Sequence, residues 1–399
     1  MLETNTMTPR LHHLFAFIVC CSLLPAALPC RLSAQEVTLL SSPGKDTIRA
    51  AVVLPLKEKT ARGSKMVEFY QGLLLAVDSM KRDGTNVEVT ALHSGSTADE
   101  MDHLLMKHSL RRMDVVFGPL DVAQQLALAD YCDIHGVRLV CPFSNVTTQL
   151  TGHPLYYMAS APRQTVQNGA LQYIRSQFRD HNIILVDCNE KNEEGAAFGQ
   201  LLRDELAKDG IFVRTLNTMG DETAYYQAFN PLRPNLLVLN SSSLKALNTF
   251  LPKLKDYRRE HTDLQVKLLG YPAWQTYTSQ LLHDFYEQDT YIFTTFFRNP
   301  LAGRSEALDR LFLQWFHRPM QQTFPRYGAM GFDLGYYFLR GLSIFGNRLE
   351  DSHTKVPALP YQHPLGFERT AEGDGFVNTF VELIHYSPAQ TIDLITFNR

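Results

Sequence analysis

The sequence predicts an α/β protein made of two open, doubly wound units in tandem, each a parallel sheet flanked by helices. Three observations carry this. Short apolar, β-branched runs alternate with stretches whose apolar residues recur at three and four. The connections between successive runs are long enough to need crossover helices, which makes neighbouring strands parallel. The series stops at Gly152-His153-Pro154 and then begins again. With 399 residues, 45% of them hydrophobic, the chain has length for two or three domains and material for real cores.

The first strand is Ile48–Leu56 (IRAAVVLPL). Met66, Phe69, Tyr70, Leu73, Leu74, Val77 and Met80 then mark one helix face. Strand Val87–Leu92, helix Thr97–Arg111, strand Asp114–Phe117, helix Val122–Asp133 and strand Arg138–Cys141 follow. Gly84, Gly118 and Gly136 sit where a helix stops or a strand ends. After the break, Tyr156–Ser160 is a short extended piece. The second series is helix Gln164–Phe178, strand Asn182–Val186, helix Ala196–Lys208, strand Ile211–Leu216, helix Thr223–Phe229 and strand Asn235–Leu239. It continues with helix Leu244–Arg259, strand Gln265–Leu269, helix Tyr277–Tyr286 and strand Thr290–Phe296. Helices Ser305–Gln321 and Gly328–Phe345 come next, and Trp315, beside Leu311 and Phe312, reads as core. A polar, Pro-rich stretch leads to Gly375–Tyr386, whose alternation reads as an antiparallel hairpin strand.

The beginning of the chain reads differently. Arg10, His12 and His13 precede an uncharged run from Leu14 to Pro29, about 16 residues where a membrane-crossing helix needs roughly 20. This is the pattern of a secretory signal peptide over residues 1–34, cut after Ala34, and it places the mature chain in the periplasm. A lipid anchor on Cys21 or Cys30 is the rival reading, and both fit a lipobox poorly. The cysteines left in the mature chain, Cys132, Cys141 and Cys188, are odd in number and widely spaced. They make neither a disulfide framework nor a zinc site and read as small buried side chains, with a Cys132–Cys141 bridge left open.

Composition narrows function. With 38 Lys and Arg against 41 Asp and Glu, the net charge of −3 offers no basic face for nucleic acid. The chain lacks GxxxxGK[ST], a GxGxxG after the first strand, HExxH and GxSxG. His103 and His108 are five apart and do not form a metal pair, and Asn189–Glu194 (NEKNEE) reads as a solvated loop. The reading is therefore neither an enzyme nor a cofactor or metal protein. Asn145-Val-Thr147 and Asn240-Ser-Ser242 match the glycosylation sequon, a match too short to inform.

Several strings in order resemble the type I periplasmic binding proteins, the leucine/isoleucine/valine-binding branch of ABC transporter substrate-binding proteins. They are AAVVLPL, MVEFYQGLLLAVDSMKRDG, VVFGPLDVAQQLALADYCDIHGVRLVCPFSN, HPLYYMASAPRQTVQNGALQYI, GYPAW and YGAMGFDLGYYFLRGL. The likeness runs from about residue 47 to the end. It is nearest a Bacteroidetes-like envelope subgroup whose members often finish in a hairpin like Gly373–Asn378. The resemblance implies two Rossmann-like lobes joined by a three-segment hinge, with crossings near Gly152–Ala161, Phe293–Asn299 and Leu342–Gln362. The N-lobe would then be 37–151 plus 297–345, and the C-lobe 152–296 plus 346–399.

In open α/β sheets the binding crevice lies at the carboxyl ends of the strands, where helix N-termini aim spare N–H groups. On the first unit this selects Leu56-Lys57, His93-Ser94, Gly118-Pro119-Leu120 and Phe143-Ser144-Asn145; on the second, Asp187-Cys188-Asn189, Asn240-Ser241-Ser242 and Tyr271 to Trp274. By the resemblance, Ser144 and Asn145 match positions that hold a ligand carboxylate. Ser144 also suits a turn cap, and Ser241 to Ser243 suit the N-cap of the following helix. Trp274, in a loop after a strand, either covers a ligand beside Tyr271 or packs under the next helix. Relatives that bind free amino acids present a carboxylate from the second lobe, and GYPAW has none; Asp187 and Asp121 are the nearest. The sequence thus points to an exported receptor that closes on a small polar molecule, with an inner-membrane transporter or envelope protein as partner. The alternative is an envelope interaction module, such as a regulator of cell-wall synthesis, that keeps the fold without a ligand.

Overall fold

A computed structural model describes Lys45, residues 47–299 and residues 302–396. The expected leader, with Cys20, Cys21 and Cys30, lies outside the described residues. No helix among those described is long and apolar enough to cross a membrane.

The first run is β1 (Thr47–Leu54), α1 (Ala61–Arg82), β2 (Asn86–His93), α2 (Ala98–Lys107), β3 (Val115–Phe117), α3 (Val122–His135), β4 (Arg138–Cys141) and β5 (Tyr156–Met158). The second is α4 (Arg163–Gln177), β6 (Asn182–Asp187), α5 (Glu193–Lys208), β7 (Val213–Asn217), α6 (Glu222–Ala228) and β8 (Asn235–Leu239). It ends with α7 (Leu244–Glu260), β9 (Val266–Gly270), α8 (Thr278–Glu287) and β10 (Thr290–Thr294). Then come α9 (Gly303–Phe316), α10 (Tyr327–Phe345), α11 (Leu349–Ser352), β11 (Phe367–Arg369), β12 (Phe376–Asn378), β13 (Glu382–Tyr386) and β14 (Ile392–Thr396).

The strands form two seven-stranded sheets, ordered β11-β12-β5-β4-β3-β1-β2 and β14-β13-β10-β9-β8-β6-β7. Their centres are parallel as the crossovers require, but at the edge β11 pairs antiparallel with β12 in the first sheet, and β13 pairs antiparallel with both β10 and β14 in the second. The first sheet is buried on both faces. Ile48, Ala50, Val52 and Leu54 of β1 face α1 and α10, whereas Ala51 and Val53 face the layer of α2 and α3. The helices α1 and α10 touch at the backbone: a Cβ on Gly72 would stand 1.8 Å from the Gly328 carbonyl oxygen.

The chain leaves the first sheet after β5, through 159–162, and returns after β10, from 295–299 onward. The third crossing departs from the expected place. It runs through 379–381 rather than 342–362, because β11 and β12 pair into the first sheet and only β13 and β14 enter the second. Buried contacts tie that stretch to the first lobe. Arg138 of β4 grips Glu350 of α11 with two bonds of 2.6 and 2.8 Å, and His353 bonds the Phe367 carbonyl at 2.8 Å. Residues 346–378 therefore belong with the first sheet, as does β5 within 152–296. The expected hairpin strand over Gly375–Tyr386 is instead two strands in different sheets, β12 and β13, each antiparallel to a neighbour, β11 and β14 respectively. Asn378 makes the break, donating to the Ala159 carbonyl and accepting from the Gly366 and Phe380 amides. Trp315, expected in the core, is 45% exposed on the outer face of α9.

Glu382 opens β13 at the third crossing. It is buried, has no hydrogen-bond or charged partner among the described residues, and burial pushes its carboxyl up to about 7. A carboxyl raised in the folded chain keeps its proton longer than in the unfolded one, so its contribution is present at acid pH. That contribution is lost as pH rises through about 7. Glu382→Gln is thus expected to stabilise the protein by about 2 kcal/mol at pH ~8 and by little at pH ~4.5. Urea midpoints of the two proteins at both pH values check this; an equal difference at both would contradict it.

Candidate functional site

All three crossings leave from carboxyl ends of parallel strands: β5 and β12 in the first sheet, β10 in the second. The carboxyl edges of both sheets therefore border the gap between the lobes, which is where such sheets carry ligands.

On the first lobe, Gly118 and Pro119 form a buried turn after β3. Gly118 has φ +107°, and a Cβ there would stand 2.1 Å from the Val53 carbonyl oxygen, so only glycine fits. A hydrogen-bonded chain supports this turn from beneath. Gln125 of α3 donates to the Pro119 carbonyl at 3.1 Å and accepts from the Tyr156 hydroxyl at 3.1 Å, which is also hydrogen-bonded to Ser144. Burial pushes the Tyr156 phenol far up, so it stays neutral. Next to it Asn145 is exposed. The rim is cationic: Lys57 is exposed, Lys65 lies 5.5 Å above the Tyr327 ring, and Phe143 packs against both Tyr327 and Phe69. Asp121, at the start of α3, does not cap its helix and instead takes Arg62 at 2.5 Å.

On the second lobe the rim is acidic and knitted together. Both oxygens of Asp187 are used, accepting from Asn240 Nδ2 at 3.0 Å, the Asn189 amide at 3.1 Å and Asn217 Nδ2 at 3.4 Å. Asn240 Oδ1 in turn accepts from the Cys188 backbone amide at 2.8 Å. Glu190 folds back over the end of β8 and accepts from the hydroxyls of both Ser241 and Ser243. Ser243 also caps α7 through the Ala246 amide at 3.0 Å. Cys188 is half-buried, its thiol pushed up to about 12 mainly by burial, which leaves it unreactive.

The site residues expected from the sequence fall into three groups. Gly118, Pro119, Ser144 and Asn145 come together at the ends of β3 and β4, but Ser144 is buried and turned toward Tyr156, leaving Asn145 as the exposed member. Asp187 and Ser241 lie on the rim with their polar atoms engaged as described. Tyr271 and Trp274 do not stand at the mouth. Both are fully buried, Tyr271 donating to the Leu239 carbonyl at 2.6 Å and Trp274 stacking on Phe285 of α8 at 5.9 Å. The turn after β9 aims these rings under the next helix, so the packing alternative holds. Gln125, Tyr156 and Glu190 were not singled out by sequence. Gln125 and Tyr156 sit among apolar helix and strand positions, and Glu190 lies in a charged run; nothing local marks their long reach.

No family model matches the sequence, and no curated protein matches it. Solved structures do. A protein from Rhodospirillum rubrum, described as a branched-chain amino acid ABC transporter, superposes with a TM-score of 0.61 at 12% identity, covering 88% of this chain and 100% of that one. A branched-chain amino acid ABC transporter periplasmic ligand-binding protein from Burkholderia xenovorans gives 0.53 at 12% identity, covering 88% and 94%. An ABC transporter substrate-binding protein from Desulfitobacterium hafniense gives 0.51 at 13%, covering 88% and 100%. The fold is that of the type I periplasmic binding proteins.

Proposed function

We propose that this is an exported solute-binding protein whose lobes close on a small polar ligand, an amino acid, peptide or similar, for uptake or sensing. The observation that carries this reading is the pair of carboxyl sheet edges bordering one gap, cationic on the first lobe and acidic on the second. Such a gap suits a molecule with an anionic and a cationic end: Asn145, Lys57 and the Gly118-Pro119 turn hold the first, and Asp187 or Glu190 meets the second. The role is binding without catalysis, and the similar solved proteins, described as parts of ABC transporters, support an inner-membrane transporter as partner. The periplasm is the compartment, reached through the leader, in an envelope subgroup of the Bacteroidetes kind. Closure is a population shift driven by the ligand's greater affinity for the closed form.

One observation favours the interaction-module reading instead. The second lobe's polar rim is satisfied internally by its own amides and hydroxyls, which leaves it few groups to give a ligand. A thermal-shift screen of Gln35–Arg399 against amino acids, short peptides and sugars separates the two. A receptor gives a saturable rise in Tm, and Asn145→Asp, which sets a negative charge at the anion end, weakens that ligand by about tenfold or more. A hit that Asn145→Asp leaves unchanged would overturn the site, and a flat screen would favour the module.

A further inference from the structure

A pocket of about 390 Å³ lies beside the second crossing, walled by both lobes, and is lined by none of the residues assigned above to the ligand ends of the main gap. Its walls are apolar. Phe296 of the crossing meets Phe324 of the first lobe with ring centres 4.7 Å apart, and Leu282 and Tyr386 come from the second lobe. Phe324 and Leu282 remain 43% and 37% exposed, so the pocket holds apolar surface still in contact with water. Its charged groups are two guanidiniums, Arg298 and Arg326, beside the neutral polar side chains of Gln275, Thr278, Ser279, Thr323 and Gln362.

These arginines are under-compensated. Among the described residues, Arg298, Arg318 and Arg326 cluster with only Asp309 and Glu68 as counter-charges. Arg298 holds Asp309 Oδ2 at 2.5 Å and the Ser305 carbonyl at 2.7 Å, while its Nε–H is buried without an acceptor. Arg326 reaches Asp309 Oδ1 only at 3.7 Å, too far for a hydrogen bond, and otherwise bonds the neutral Gln322 at 2.6 Å. One positive charge is thus left uncompensated at the edge of an aromatic pocket, where a carboxylate would balance it.

We propose that this pocket is a second binding site, for small carboxylates carrying a flat apolar body, of the arylalkanoate kind. The volume suits one such molecule, with its ring among Phe296, Phe324 and Leu282 and its carboxylate on Arg298 and Arg326. The assignment does not depend on what fills the gap between the lobes.

Saturation-transfer NMR of the chain with 3-phenylpropionate, its neutral amide 3-phenylpropionamide and phenethylamine tests it. Transfer to the acid is expected, with much less to the amide and none to the amine. Arg326→Gln should weaken the acid by about tenfold or more. Phe324→Ser, at a side chain exposed enough to leave the fold intact, should do the same, and Asn145→Ala should change nothing. Absence of transfer to the acid, equal transfer to acid and amide, indifference to both pocket variants, or loss in Asn145→Ala would each overturn the proposal.

Discussion

Asp333→Ala is expected to lower the free energy of unfolding by about 4 kcal/mol, seen as a fall in the urea midpoint with little change in slope. Asp333 sits on α10, fully buried, and accepts from three consecutive backbone amides: Tyr361 at 2.7 Å, Gln362 at 2.8 Å and His363 at 2.8 Å. Removing the carboxyl strands those donors in a place water does not reach, at about 1–3 kcal/mol each, and the three do not add fully because they share one acceptor group. The cost of burying the carboxyl works the other way, pushing it up to about 7 against the three donors that favour its charged form. The donors decide the outcome, since alanine removes every acceptor at once. Asp333→Asn keeps one carbonyl oxygen and should lose less. The effect should also reach the hinge, because Gln362 accepts from the Phe297 amide of the second crossing at 2.9 Å and bonds the Arg326 backbone. A neutral alanine variant would mean the 361–363 strap is held by its other contacts.

Gly72→Ala is expected to destabilise by about 2–4 kcal/mol, although alanine is the better helix former by about 1 kcal/mol. Two effects oppose each other. Propensity favours alanine inside a 22-residue helix. Against it, the new methyl would meet the Gly328 carbonyl oxygen at 1.8 Å, its carbon at 2.7 Å and its Cα at 3.0 Å, all backbone atoms that no rotamer change can move. Relief requires the helices to separate, which opens the layer containing Phe69, Leu73 and Leu334. Urea unfolding gives the sign directly: a stabilised Gly72→Ala would show that the two helices part at little cost.

The fold was legible because its central strands are buried on both faces. β4 and β8, as Arg138–Cys141 and Asn235–Leu239, have the bounds the apolar runs mark, since no alternation blurs their ends. The third crossing was not legible. β11 and β12 are three residues each; β11 follows a Pro-rich stretch without periodicity, and β12 and the break at 379–381 fall inside an alternation that reads as continuous. The site was readable only as strand ends. Sheet geometry selected the turns at Gly118-Pro119 and Ser144-Asn145, but which way a loop ring points depends on the helix that follows it. Thus Trp274 lies under α8 despite its loop position, and Glu190 caps a strand end from within a run of charges.

The central claim is that the gap between the lobes holds a small polar ligand. Native mass spectrometry of the mature chain, purified gently from its own envelope, tests it most directly. The account predicts a discrete added mass, of the size of an amino acid or short peptide, that disappears on denaturation and is diminished in Asn145→Asp. A chain that stays bare, and that shows no thermal shift with any ligand of those classes, would contradict it.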